Sequence, residues 1–338
     1  MGTIKNMAKL PTWITHWRGC AEILRAAGAD AFDSELGRLA IRKTWFSLVF
    51  LGTIDKNTTF VTDAGAWRRL FPQKSHIADL FCFFGIKLPG FLHRVDLMLN
   101  GKAATADGES HSHDLTQAQE LYADLVEHKE ELQTWLTKFT AQQTFGGKLN
   151  ILFSGLDELK DLSNARIGDL EAHCPSVFED VSVAELMLAY WFCMLQLSTA
   201  MMKVRDYMCR SPSRESSATS QDDDEEIRRL EVGDADLIAT QILALSRSLV
   251  DQYLARFCGI MFSISAPTRI AMEFYIKYRP PHYKAKLRQC ITFIDQYARI
   301  EKSGAICGYC VDTLFGHVQH LWIRDDAEKL LAGTSATT

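Results

Sequence analysis

Apolar residues recur every three to four positions along almost the whole chain, the period of a helix that packs on one side. Thr12 caps a first predicted helix that carries Trp13, Trp17, Ile23 and Leu24 and stops at Gly28. Ser34 caps a second, through Leu36, Leu39, Ile41, Trp45 and Val49. Ser75 opens a third with Ile77, Leu80, Phe81 and Phe84 on its apolar side, and Pro89 separates it from a short fourth. Residues 101–113 are small and polar and read as a loop, after which Asp114, answered by Gln117, caps a long amphipathic helix. Leu121, Tyr122, Leu125, Leu132, Trp135, Leu136 and Phe139 mark its apolar face, with charges opposite, and Gly146-Gly147 end it. Another helical stretch follows from about Leu149 to Leu170.

Val181 to Cys209 is the most apolar segment, with 17 uncharged residues from Leu186 to Met202. That run is short for a bilayer and contains Gln196, Ser198 and Thr199, so it reads as a helix buried on all sides rather than a membrane span. Residues 210–226 are serine-rich and acidic with no large apolar side chain, which predicts a disordered loop or linker. Helical spacing resumes at Ile227 or Ala235 and runs to about Phe262. Pro267 then opens a further helix, Pro280-Pro281 break it, and two more follow around Leu287–Ile300 and Ala305–Trp322. No segment alternates like a strand. The expected fold is all-α, about ten helices: residues 1–209 form the first part of a helical domain and 210–233 a disordered acidic linker. Residues 234–325 then add helices that pack on the same domain, and 326–338 a frayed tail.

Composition sharpens this in two respects. The net charge of −5 is matched by the single run Asp222, Asp223, Asp224, Glu225 and Glu226, so the rest of the 338 residues is neutral and offers no general field for a phosphate backbone. The nine cysteines, mostly inside apolar stretches, fit buried reduced thiols better than a disulfide framework, and the opening residues lack the apolar core of a signal peptide.

Three constellations invite chemistry. Asp222-Asp223-x-x-Glu226 and Asn150-x-x-x-Ser154-x-x-x-Glu158 resemble the Mg²⁺-binding signatures of class I terpene synthases. They stand in reversed order, however, and Ile151 occupies a position where aspartate is usual. An all-α Mg²⁺-dependent enzyme of this type is therefore the alternative reading. Cys307-x-x-Cys310 with His317-x-x-His320 has zinc-ligand types, but on one continuous helix Cys307 and His320 stand about 20 Å apart. His111-x-His113-Asp114 sits at a helix start, where capping by Asp114 is the simpler account. Lys277, Arg279, Lys284, Lys286 and Arg288 interleave with Tyr275, Tyr278 and Tyr283, a pattern shared by nucleic-acid contacts and solvated helix junctions. No phosphate loop, dinucleotide fingerprint, nucleophile elbow or zinc-protease motif occurs, so no cofactor, metal or catalytic residue is assigned and the chain is not expected to be an enzyme.

The segment TWITHWRGCAEILRAAGAD resembles the Trp-x-x-His-x-x-Gly motif in the regulatory region of fungal zinc-cluster (Zn(II)2Cys6) transcription factors, through Trp13, His16, Gly19, Ile23 and Leu24. The later ILALSRSLVDQYLARFCGIMFSISAPTRIAMEFY resembles that family's late segment through Ser246 or Ser248, Tyr253, Gly259 and Pro267. The chain departs from the family in having no closely spaced cysteine cluster, Cys20 and Cys82 being far apart. The resemblance implies a helical regulatory domain without its own DNA reader, working in transcription through protein partners, with DNA reached indirectly or through a missing N-terminal zinc cluster. It further implies a nuclear location, otherwise cytoplasmic, and control of a secondary-metabolite (mycotoxin) gene cluster. A truncated, non-functional remnant is the bland counterpart, and the oligomeric state stays open. Ser211, before Pro212, and Ser220, before the acidic run, are candidates for regulatory phosphorylation.

Overall fold

In the computed structural model, residues 77–101, 110–141, 181–210, 218–253, 260–302 and 321–333 are described, with scattered single positions between 19 and 52. They form seven helices, and no strand occurs among the described residues. These are α1 (Ile77–Gly101), α2 (Ser110–Ala141), α3 (Val181–Cys209), α4 (Ala218–Tyr253), α5 (Ile260–Tyr278), α6 (Tyr283–Lys302) and α7 (Leu321–Ala332). By the density of its internal contacts the chain divides into two units, residues 27–154 with 193–238, and residues 1–26 with 155–192 and 239–338. The division falls inside α3 and α4.

In the first of these units α1 packs on α2. Leu88 and Val95 of α1 are buried, as are Ala118, Leu121, Leu125, Leu132 and Trp135 of α2, all at helical spacing. Two ion pairs set the antiparallel register: Lys87 reaches Glu131 at 2.9 Å, and seven residues on, Arg94 reaches Asp124 at 2.6 Å, seven residues back. Contrary to the expectation of two helices parted by Pro89, α1 runs straight through it. The proline forfeits one backbone donor. In exchange its buried ring lies so close to Gly52 that a β-carbon there would meet Pro89 Cγ at 2.8 Å, a close approach only glycine allows. Earlier in the chain, Ser34 Oγ accepts from the Gly37 amide at 3.0 Å, the helix cap the sequence predicts there.

In the other unit α5, α6 and α7 pack on one another. Pro267, expected to open a helix, instead lies buried within α5. One residue on, the Thr268 hydroxyl donates to the Ile264 carbonyl at 2.9 Å and accepts from the Ser246 hydroxyl of α4 at 3.1 Å, so this proline-containing turn is tied to its neighbour. Pro280-Pro281 do break the helix, between α5 and α6. The expected frayed tail from residue 326 is in fact helical to Ala332, because Ala327 and Leu330 bury against the unit, and Gly333 at φ 79° follows as the helix stop.

α3 has the bounds the sequence predicts, and from Met187 to Ala200 only Gln196 and Thr199 are not buried. Among the described residues no helix is long and apolar enough to cross a membrane. α4 departs from expectation at its start. The acidic stretch predicted as unstructured to residue 233 is helical from Ala218, and α2 likewise starts at Ser110 rather than at a cap on Asp114.

Candidate functional site

The start of α4 has two unlike sides, and the inner one explains why it is a helix. Glu231 meets the Arg205 guanidinium of α3 at 2.5 Å. Arg205 donates to the Tyr122 hydroxyl of α2 and stands over its ring at 5.3 Å from the centroid, while Tyr122 donates to Glu231 at 3.5 Å. Arg228 reaches Asp206 at 3.6 Å, and the Cys209 thiol faces the Asp224 carboxylate at 3.8 Å. Three helices are thus joined through one arginine. Charge-assisted bonds of this kind gain strength where water is thin.

Burial governs the protonation of this cluster. It pushes the Glu231 carboxyl above its usual range, against the pull of Arg205 and Lys129, and Glu231 Oε2 is buried without a hydrogen bond among the described residues. Desolvation likewise raises the Tyr122 hydroxyl. Further along α2 the balance reverses. Glu131 accepts from Lys87 and lies 3.0 Å from Nδ1 of the buried His128, whose ring is 5.0 Å from that of Phe91. The hydrogen bond with His128, then Lys87, outweighs burial and holds the Glu131 carboxyl down at about 2.

The outer side of the same stretch of α4 is bare. Glu225, Glu226, Ile227, Arg229 and Leu230 are exposed, Ile227 by 42% and Leu230 by 65%. Glu226, Ile227, Leu230 and the exposed Asp234 fall on one side of the helix, so two apolar side chains are flanked by carboxylates. Arg229 pairs within the helix with Glu225 at 3.2 Å, and these two with Glu226 and Leu230 line an open depression. Exposed apolar side chains framed by charge are the composition of a protein-contact surface.

In the other unit Lys286, buried, donates to Thr240 Oγ1 at 2.7 Å and stands 5.5 Å from the Tyr275 ring centroid, and Tyr275 Oη lies 3.3 Å from the same threonine. The thiols of Cys193 and Cys290 are fully buried and pushed up by desolvation, Cys290 to about 12, so both stay protonated.

The residues singled out in the sequence do not gather into one place. Gly19 is helical and exposed, Ser220 is the third residue of α4, Tyr253 its last, and Pro267 is buried in α5. Trp13, His16, Ser211 and Gly259 lie outside the described residues, as do Asn150, Ser154, Glu158 and the Cys307 to His320 segment. Asp222 and Glu226 stand four apart on α4, but Glu226 is exposed beside Arg229. No group of three His, Cys, Asp or Glu among the described residues is placed to hold a metal ion. Sequence reading missed Arg205 and Glu231, and it placed Tyr122 on the apolar face of α2, where the residue is in fact half-buried and bonded to both. The one signal for them was an arginine standing near the end of the most apolar helix, where a charge calls for a partner. No protein-family model, curated protein or solved structure matches the chain.

Proposed function

We propose that the chain is a helical regulatory domain of the kind found in fungal zinc-cluster transcription factors, working in transcription through protein contacts and without a zinc-cluster DNA reader of its own. The observation that carries this reading is the outer face at the start of α4, an acidic helix with Ile227 and Leu230 bare to solvent, held in place from its inner side by Arg205. A helix so anchored loses little further freedom when a partner docks, which favours binding. The sequence resemblance through Trp13, His16, Gly19, Tyr253, Gly259 and Pro267 supplies the setting: a nuclear protein acting on a set of genes such as a secondary-metabolite cluster. Ser220, the third residue of α4 and just before the carboxylate run, is where phosphorylation would add negative charge to the start of this helix.

The test is transcript profiling of the source organism with the gene deleted, then restored as wild type or as the Glu226→Lys/Leu230→Ser variant. Deletion changes a coherent set of transcripts, wild type restores it, and the variant, folded and nuclear, does not. An unchanged transcript profile after deletion would falsify the proposal.

A further inference from the structure

The corner between α5 and α6 is the electrostatic opposite of the start of α4. From Phe274 to Ile294 the chain carries Lys277, Arg279, Lys284, Lys286 and Arg288 and no carboxylate. Lys286 is buried against Thr240, and the other four cations are exposed. The corner is built to hold one shape. Arg279 and His282 take left-handed backbone conformations, at φ 48° and 64°, on either side of Pro280-Pro281. The Tyr283 amide donates to the Pro280 carbonyl at 3.1 Å and the Ala285 amide to that of His282 at 2.9 Å. Pro281 is exposed and Tyr278 and Tyr283 half-buried, so apolar surface lies among the cations.

We propose that the acidic outer face of α4 docks on this basic corner of a second copy of the chain. The two surfaces are complementary in charge and in apolar content. One presents Glu226 and Asp234 around Ile227 and Leu230, with Arg229 paired to Glu225 beside them, the other cations around Pro281 and two tyrosine rings, and both are exposed in the single chain. The run Asp222 to Glu226 matches the whole net charge of −5 and is the longest unbroken run of one charge in the chain. Because the two surfaces differ, the pairing either closes reciprocally, each of two copies giving both surfaces, or repeats head-to-tail in series. Because its charges are exposed, it weakens as salt screens them. The inference rests on reading the outer face of α4 as a contact surface, not on transcription being its setting.

Sedimentation velocity of the purified full chain tests it. At about 50 mM salt the average mass rises with protein concentration, and at about 500 mM it falls to that of the monomer. Glu225→Lys/Glu226→Lys weakens association by about tenfold or more, as does Lys284→Glu/Arg288→Glu, with melting temperatures unchanged. Mixing the two variants restores association, since each then meets a surface of opposite sign. The proposal is overturned if the wild type is a monomer at both salts or if association survives both reversals. It is equally overturned if the monomeric chain binds duplex DNA through Lys284 and Arg288. Loss of transcript control by an α4 variant of an always monomeric protein would sink this inference alone. Self-association in a protein whose deletion leaves transcripts unchanged would sink only the regulatory reading.

Discussion

α3 and the start of α4 are neighbours in sequence, both helical, and ordered by different means. From Met187 to Ala200 α3 is buried on nearly every side, so its stability comes from apolar area removed from water, which is non-directional and summed over many side chains. Residues 225–230 of α4 are all exposed, and this start of the helix is tied by Glu231, Arg228 and Asp224 to Arg205, Asp206 and Cys209 at the end of α3. Order that comes from area survives the loss of any one polar contact. Order that rests on a few polar contacts, Arg205 foremost among them, does not.

The largest effect expected of a single substitution is therefore in α3. Phe192, at 0% exposure, leaves a cavity when cut to alanine, and Phe192→Ala costs about 3–5 kcal/mol in chemical denaturation. Arg205→Ala costs less, about 1–3 kcal/mol, since Arg205 and Glu231 retain 23% and 21% of their exposure. Its effect is local: hydrogen exchange accelerates from Ala218 to Gly233, where Glu231 is left buried without its cation, while the apolar run of α3 keeps its protection. Should the two stretches lose protection together, the distinction between them would not stand.

The same difference in mechanism decides what the sequence shows. α2 and α3 were legible because Leu121, Leu125, Leu132 and Trp135, or an unbroken apolar run, declare burial through spacing alone. The break at Pro280-Pro281 and the cap at Ser34 were legible because their chemistry is local. Pro89 and Pro267 misled because the turns that accept them are completed by distant residues, Gly52 and Ser246. The acidic start of α4 misled for the same reason. Its composition argues for disorder, and the argument fails through contacts such as those of Arg205 and Tyr122, which no spacing links to Glu231. The candidate face was thus visible as a run of charge, but not as an ordered surface.

The smallest effect separates two carboxylates that both touch a cation. Glu131 titrates at about 2 in the folded protein against 4.5 unperturbed, so its contribution is complete above the unfolded value and is lost as pH falls toward 2. Discounted for a side chain 34% exposed, that contribution is about 1–2 kcal/mol. Glu231 is raised, so its sign is opposite: the docked state holds the proton more tightly than the open one, gains stability below the unfolded value, and loses it as pH rises through the folded value. Lowering the pH from about 5 to about 3 should therefore loosen α1 from α2 around Glu131 and tighten the start of α4 around Glu231. Hydrogen exchange corrected for intrinsic rates reads both regions in one sample. Glu131→Gln flattens the first pH response and Glu231→Gln the second, each leaving the other intact. Slopes of the same sign in the wild type would mean that burial does not outweigh Arg205 at Glu231, and that the two clusters are one kind of contact after all.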